Sequence, residues 1–537
     1  MRTGKIKKAL ALTMTAMMMF STAACGKKES GTVETVSKAD SVNNADASAV
    51  SADSPYKDKG FDLTKREEIV FYVVGERPQD ADMVFEKLNN DYLIPWLNTT
   101  LNVQFISWSD IGTKYSLLLA GGDKIDAIYT SSWCNYNSEA AKGAFKELTP
   151  EFLQTYMPYS YPVQAAESWD QVSISGKIYA IPKNNAGFNN YNVIAVRSDL
   201  MDKYNIEEIN SWDSLKSALT ILAENETANG VYANGQRGCC EFADHLWWQK
   251  LQVESLASGY DFMYYTHGDE KLPDWDKDVF YKYLSQDYLD MCLEMAEMAK
   301  LGIWSPDRIN DTTDPMVNFE SGRTATLVWN SAVISSGQNV EKNGVGTFEV
   351  FDVTPECKAR RGSYADDTMA IAAVSEHPER TALVLDCIKG FPEVNNLVVG
   401  GIEGVHYELS EDGRRMTTDK SESYAWGCWA WGLTGRDSLA EYSEDPRSSF
   451  FNDICTAKEY APIAAGFTFD KQSVEAEMSV IGSIVEEYGQ SFNLGLFGDN
   501  TEAKYEEFVE KLKAAGIDKV MEECKRQYQE FYDKKTK

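Results

Sequence analysis

Short apolar runs and segments of helical period alternate along the first two thirds of this chain. Residues 69–75 read as a buried strand. Residues 80–96 read as a helix, with Asp80 placed to cap it and Pro95 near its end. Residues 101–106 are a second strand, 114–120 a helix stopped by Gly121-Gly122, and 125–129 a third strand. A turn and short strand follow at 176–182, and another strand at 191–197. Helices are predicted over 212–223 and 294–301. A helix ending at Arg323 runs into a strand at 324–329, and 370–374 with 378–389 form one more strand and helix. Such alternation means βαβ units and an α/β sheet. Beyond about Val405 it fades, and 475–488, 502–515 and 519–532 predict a helical C-terminal extension.

The N-terminus follows a different pattern. Arg2, Lys5, Lys7 and Lys8 precede an apolar run over 9–20, then the small residues Ser21-Thr22-Ala23-Ala24 and Cys25. That order is a secretory signal, with an apolar run shorter than the ~20 residues a bilayer needs. The close on Cys25 resembles the lipobox of bacterial lipoproteins, although Thr22 stands where Leu is usual. The resemblance implies a signal peptide over 1–24, and Cys25 as the lipidated first residue of a chain anchored outside the cell membrane. An ordinary cleaved signal is the alternative. Residues 26–60 are rich in Ser, Ala, Asp and Lys, so 25–65 is expected to be a disordered tether.

Composition narrows the partners. At 537 residues two or more lobes are expected. The net charge of −31 falls further once the signal's basic residues are lost, which argues against nucleic acid and favours a neutral or cationic ligand. Ten irregularly spaced cysteines with no CxxC read as buried free thiols rather than a disulfide framework. The four histidines have no metal spacing. Asp274 to Asp278 mimics the start of a calcium loop, but Val279 and Ser285 stand where Gly and Glu are required. No metal or cofactor is expected.

Four further motifs occur in order. Leu117-Leu118-Leu119-Ala120-Gly121-Gly122-Asp123 with Asp126, the segment from Gly176 to Pro182, Trp212-Asp213-Ser214-Leu215, and Phe319-Glu320-Ser321-Gly322-Arg323-Thr324-Ala325 together resemble extracellular solute-binding proteins of family 1. Gly401-Ile402-Glu403-Gly404, Gly466 to Asp470 and Lys511 to Asp518 resemble a lipoprotein subfamily of these binders. The resemblance spans about residues 66–537. It implies a two-lobe, type II periplasmic-binding-protein-like α/β fold that closes by hinge motion on a solute, without catalysis. It implies a monomeric receptor that hands its solute to the permease subunits of an ABC importer. Lobe 1 is expected over 66–185 and 350–395, lobe 2 over 190–345 and 400–537. The crossings are expected near 182–191, 345–355 and 393–401.

In α/β sheets ligands lie beyond the carboxyl ends of strands. Those ends supply Glu76, Arg77, Trp108, Trp133, Trp329 and Asn330 as candidates. Glu403 and His406 stand at the third expected crossing. Arg237 and Glu241 flank Cys239-Cys240, and Trp429 and Trp431 share one face of a Trp-rich stretch. Thirteen Trp and 28 Tyr, many at strand ends, suit the flat ring faces of a carbohydrate, an oligosaccharide above all. A peptide, polyol or polyamine would use the same aromatics, and a secreted glycoside hydrolase would share the groove but need a carboxylate pair.

Overall fold

Two four-stranded sheets, each backed by its own core, organise the chain. The computed structural model describes residues 50–536 apart from 109, 122–123, 186, 188–190, 236–240, 258, 267–270, 312, 427–438, 440–444, 462–463 and 465; the side chains of Glu241 and Ser448 are likewise not described. Cys25, most of the expected tether, Arg237, Trp429 and Trp431 lie outside the described residues.

In chain order the sheet strands are β1 (Glu67–Val74), β2 (Thr99–Ile106), β3 (Ala127–Thr130), β4 (Val193–Arg197), β5 (Tyr232–Asn234), β6 (Thr324–Trp329), β7 (Phe348–Phe351) and β8 (Thr368–Ile371). The first sheet runs β8-β3-β1-β2, with β1 parallel to β2 and β3, and β8 antiparallel to β3. The second runs β7-β4-β6-β5, with β6 parallel to β5 and antiparallel to β4. Position in the sheet explains the sequence patterns. Central β1 is covered on both faces past Glu68, and 69–74 read as an unbroken apolar run. Edge strand β2 alternates, with Leu101 and Val103 buried while Asn102 and Gln104 are exposed.

The helix expected over 80–96 is one helical run with a π-turn at Asn89–Leu93, ended by Asn98 at a left-handed φ of 48°. Asp80 does not cap it with its side chain. Its carboxylate lies 3.4 Å from His406 Nε2 instead.

The first core starts earlier than expected. Tyr56 and Leu63 are buried in it, so the ordered body begins inside the stretch read as tether. The reason is Asp386, which is wholly buried. It accepts from Tyr56 Oη at 2.8 Å, from Ser160 N and Oγ at 2.7 Å each, and from Tyr159 N at 3.1 Å. Burial pushes its carboxyl up, and these donors work against that shift.

The same core also extends later than expected. Tyr424 is buried in it, with Ile402 and Trp426 packed against it, while the helix Arg447–Lys458 packs on a smaller core behind the second sheet. The return to the second lobe therefore falls after 426 rather than at 393–401, and 400–426 belong with the first lobe. Gly401, at φ 82°, turns the chain back, and Tyr424 Oη donates to Val398 O at 3.0 Å across that turn.

The second core takes the C-terminal helices Glu475–Asn493, Thr501–Ala514 and Ile517–Lys535, which lay Phe492, Phe508 and Tyr528 onto the lobe. The linking segments lie side by side. Lys183 N donates to Tyr364 O at 3.2 Å, Gly362 N to Gly187 O at 2.6 Å, and Arg361 N to Tyr460 O at 2.9 Å. The six described cysteines are buried free thiols, and burial pushes Cys134 and Cys357 up to about 11.

Replacing Asp386 strands several buried donors at about 1–3 kcal/mol each. Asp386→Ala is expected to lower unfolding stability by roughly 3–5 kcal/mol, read from denaturant midpoints. A loss under about 1 kcal/mol would show that this carboxylate does not fix the N-terminal segment.

Candidate functional site

The carboxyl edge of the first sheet holds a pair of tryptophans. Trp108 follows β2 and Trp133 follows β3. Both are about half exposed, at 48% and 52%, in a protein whose other large aromatics are mostly covered. Their ring centroids lie 6.4 Å apart with planes inclined by 23°.

A tight turn after β3 aims Trp133. Ser131 N and Cys134 O pair at 3.1 Å, Cys134 N and Ser131 O at 3.0 Å, and Asn135 takes a left-handed φ of 61°. Ser131 Oγ accepts from Trp133 N at 3.0 Å. The indole Nε1 then donates to Asp366 O at 2.9 Å, and Ser132 Oγ donates to Asp366 Oδ1 at 2.9 Å. Asp366 itself is set by Ser363 N, which donates to Oδ2 at 2.8 Å. The platform is thus pinned to the chain entering β8.

Asp367, the next residue, forms a buried ion pair with Lys183 at 3.1 Å and accepts from Tyr129 Oη at 3.1 Å. Burial pushes the Asp367 carboxyl up, and Lys183 opposes that. Tyr129 in turn packs beside Trp133, with centroids 6.0 Å apart. These four residues escaped the sequence reading, although a signal existed. An antiparallel strand presents its entry, not its exit, at this edge, so the residues before the predicted strand at 370–374 were candidates.

Glu76 and Arg77 are exposed after β1 and line a cavity of about 660 Å³ that follows β2. Arg77 is paired with Asp82 at 2.5 Å. In the second lobe, Trp329 ends β6 and meets the His245 ring edge-on at 4.9 Å. Burial lowers the His245 pKa, with Asp244 opposing, which favours the neutral imidazole. Asn330 accepts from Ala332 N at 3.0 Å at the start of the helix Ala332–Lys342, a structural task that accounts for its side-chain oxygen.

One candidate changes character. His406 is 2% exposed, and its Nδ1 accepts from Ile402 N at 2.9 Å, so it holds the Gly401 turn from inside the first lobe rather than facing a ligand. Glu403 is exposed in that turn. Glu241 opens a π-helical turn, Glu241–Leu246, that carries His245 towards Trp329. Trp247 and Trp248, adjacent in sequence, are both buried in the second core. Among the described residues, no group of three His, Cys, Asp or Glu could hold a metal ion.

Comparison with known proteins agrees with this architecture. Residues 463–533 match a family model described as a domain of unknown function, DUF3502. A protein of Streptococcus pneumoniae serotype 4 named "carbohydrate ABC transporter substrate-binding protein" is 22% identical over 495 residues, covering 89% of this chain and 93% of that protein. The crystal structure of the N-glycan transport solute-binding protein NgtS from Streptococcus pneumoniae, in complex with Man1GlcNAc, superposes with a TM-score of 0.68 at 20% identity, covering 87% of this chain and 100% of NgtS. The alginate-binding protein AlgQ2 superposes with a TM-score of 0.62 at 15% identity, covering 86% and 97%. In its periplasmic-binding-protein-like α/β fold, and over nearly its full length, the chain is similar to ABC-transporter substrate-binding proteins.

Proposed function

We propose that this protein is the solute receptor of an ABC importer for an oligosaccharide, held outside the cell membrane by lipid on Cys25. The observation that carries the ligand class is the Trp108–Trp133 pair. Two half-exposed indoles are fixed at strand ends by hydrogen bonds to Asp366 rather than folded into a core. Leaving such faces to water is costly unless a ligand covers them, and a sugar ring has the flat apolar face that fits.

The surrounding charges favour a neutral ligand over a polyamine. Asp366 already accepts from Ser132 and Ser363, and Asp367 is neutralised by Lys183. Neither of these two carboxylates is left unengaged for a cation on the platform. NgtS, of the same fold, is described in complex with Man1GlcNAc and with Man5GlcNAc, which supports a glycan ligand here.

The receptor works by a shift of population. Ligand contacts to both lobes favour a closed form that the empty protein visits less, and the closed form docks the permease. Nothing in that cycle needs a nucleophile or a general acid. The segments that join the lobes are few and laid side by side, which is the arrangement a hinge requires.

Thermal-shift screening against mono- and oligosaccharides, polyamines and peptides tests the ligand class. A ligand at 100 times its Kd is expected to add about 2.7 kcal/mol of stability. Sugars without effect beside an active amine or peptide would overturn the carbohydrate reading. The bound oligosaccharide is expected to be recovered intact, and new reducing ends would point to a hydrolase. Trp133→Ala is expected to weaken binding about tenfold or more by calorimetry, since burying an aromatic face is worth about 1.5–3 kcal/mol. Cys25→Ala is expected to release the protein from membranes, and continued pelleting with them would contradict the anchor.

A further inference from the structure

Beyond the tryptophan platform, the first lobe carries a trench whose role nothing above assigns. The cavity of about 660 Å³ runs the length of β2, from Glu68 and Thr100 at one end to Ser107 at the other. Eight residues of strand make it roughly 25 Å long. Its far end is the residue directly before Trp108. The trench therefore ends one residue short of the aromatic pair along the chain.

We propose that this trench is a second arm of the binding surface, taking the outer rings of an uncharged oligosaccharide whose inner rings lie on Trp108 and Trp133. The inference rests on the carbohydrate reading and extends it to ligand length. The lining chemistry fits hydroxyl groups. Asn102 and Gln104 are exposed on the strand, with Gln104 Nε2 donating to Asn102 Oδ1 at 2.7 Å, and Glu76 and Glu86 face the same space. Phe85 and Phe105 add apolar surface to the same walls. Amides and carboxylates over a partly apolar wall match a sugar's mixture of hydroxyls and C–H faces.

A polypeptide strand is the rival occupant, because β2 is a sheet edge. Strand addition needs the outward N–H and C=O groups of that edge. Asn89 already holds a set of them: its Oδ1 accepts from Leu101 N at 2.7 Å and its Nδ2 donates to Leu101 O at 3.0 Å. The side-chain amide imitates a neighbouring strand and blunts the edge where pairing would begin. An anionic ligand is disfavoured by Glu68, Glu76, Asp82 and Glu86, against the single Arg77 that Asp82 already pairs.

The test uses the full chain and two length series, Man1GlcNAc with Man5GlcNAc and maltose with maltopentaose, measured by calorimetry. For the series that binds, the wild type is expected to prefer the longer member. The double variant Asn102→Ala with Gln104→Ala, at exposed positions where folding is easily checked by melting, is expected to cut the long-to-short affinity ratio at least fivefold. Trp108→Ala is expected to weaken both members. A ratio that the double variant leaves unchanged, or affinities that fall together, would overturn the trench while leaving the receptor role intact. A Lys-rich decapeptide that binds the wild type and not the double variant would overturn it in favour of a strand partner. Failure of the wild type to bind either series would overturn the carbohydrate ligand and the trench with it.

Discussion

The buried pair of Lys183 and Asp367 is the constraint on which the site depends. Lys183 stands on the segment leaving the first lobe, and Asp367 on the segment returning to it. Both are almost fully shielded from water, so separating them would leave an isolated charge in a poorly solvating interior. The pair therefore keeps the two linking segments in register where they meet the first sheet. Tyr129 joins it by hydrogen bond and packs beside Trp133. The next residue along, Asp366, holds the indole of Trp133 directly. The geometry of the linkers and that of the aromatic platform are thus one mechanical unit.

A matching cluster sits at the other end of the linkers. Lys458 pairs with Asp352 and donates to Tyr191 Oη at 2.9 Å, which in turn donates to Asp352 at 2.8 Å. Gln249 bridges Asn192 and Thr354 beside it. Three segments that enter or leave the second lobe are fastened there. The linking segments are thus anchored at both ends. The C-terminal helices add mass to the second lobe and not to the hinge. Their aromatic faces, with Phe492 and Phe508 against Tyr288, bury themselves on helix Gln286–Lys300.

The two lobes present different chemistry at their strand ends. The first offers indole faces braced by hydrogen bonds. The second offers Trp329 in perpendicular ring contact with His245, whose burial favours the neutral imidazole.

The sequence by itself determined the fold class and many of the strands and helices, because hydrophobic period is a local property, but it left out the short sheet strands Tyr232–Asn234 and Phe348–Phe351. The central run over 69–75, the edge alternation over 101–106 and the helices after 475 are all visible without tertiary contacts. It also pointed to Trp108 and Trp133, since the end of a strand locates a residue near the sheet's carboxyl edge. What it did not determine is which side chains stay in the open. Trp133 is held outward by Asp366, more than two hundred residues away, and His406 is drawn inward by Asp80, more than three hundred residues before it. Tyr56 enters the core through Asp386 at a similar remove. These outcomes depend on pairs that the folded chain brings together, and no local pattern records such pairs. Only the tertiary structure decided them.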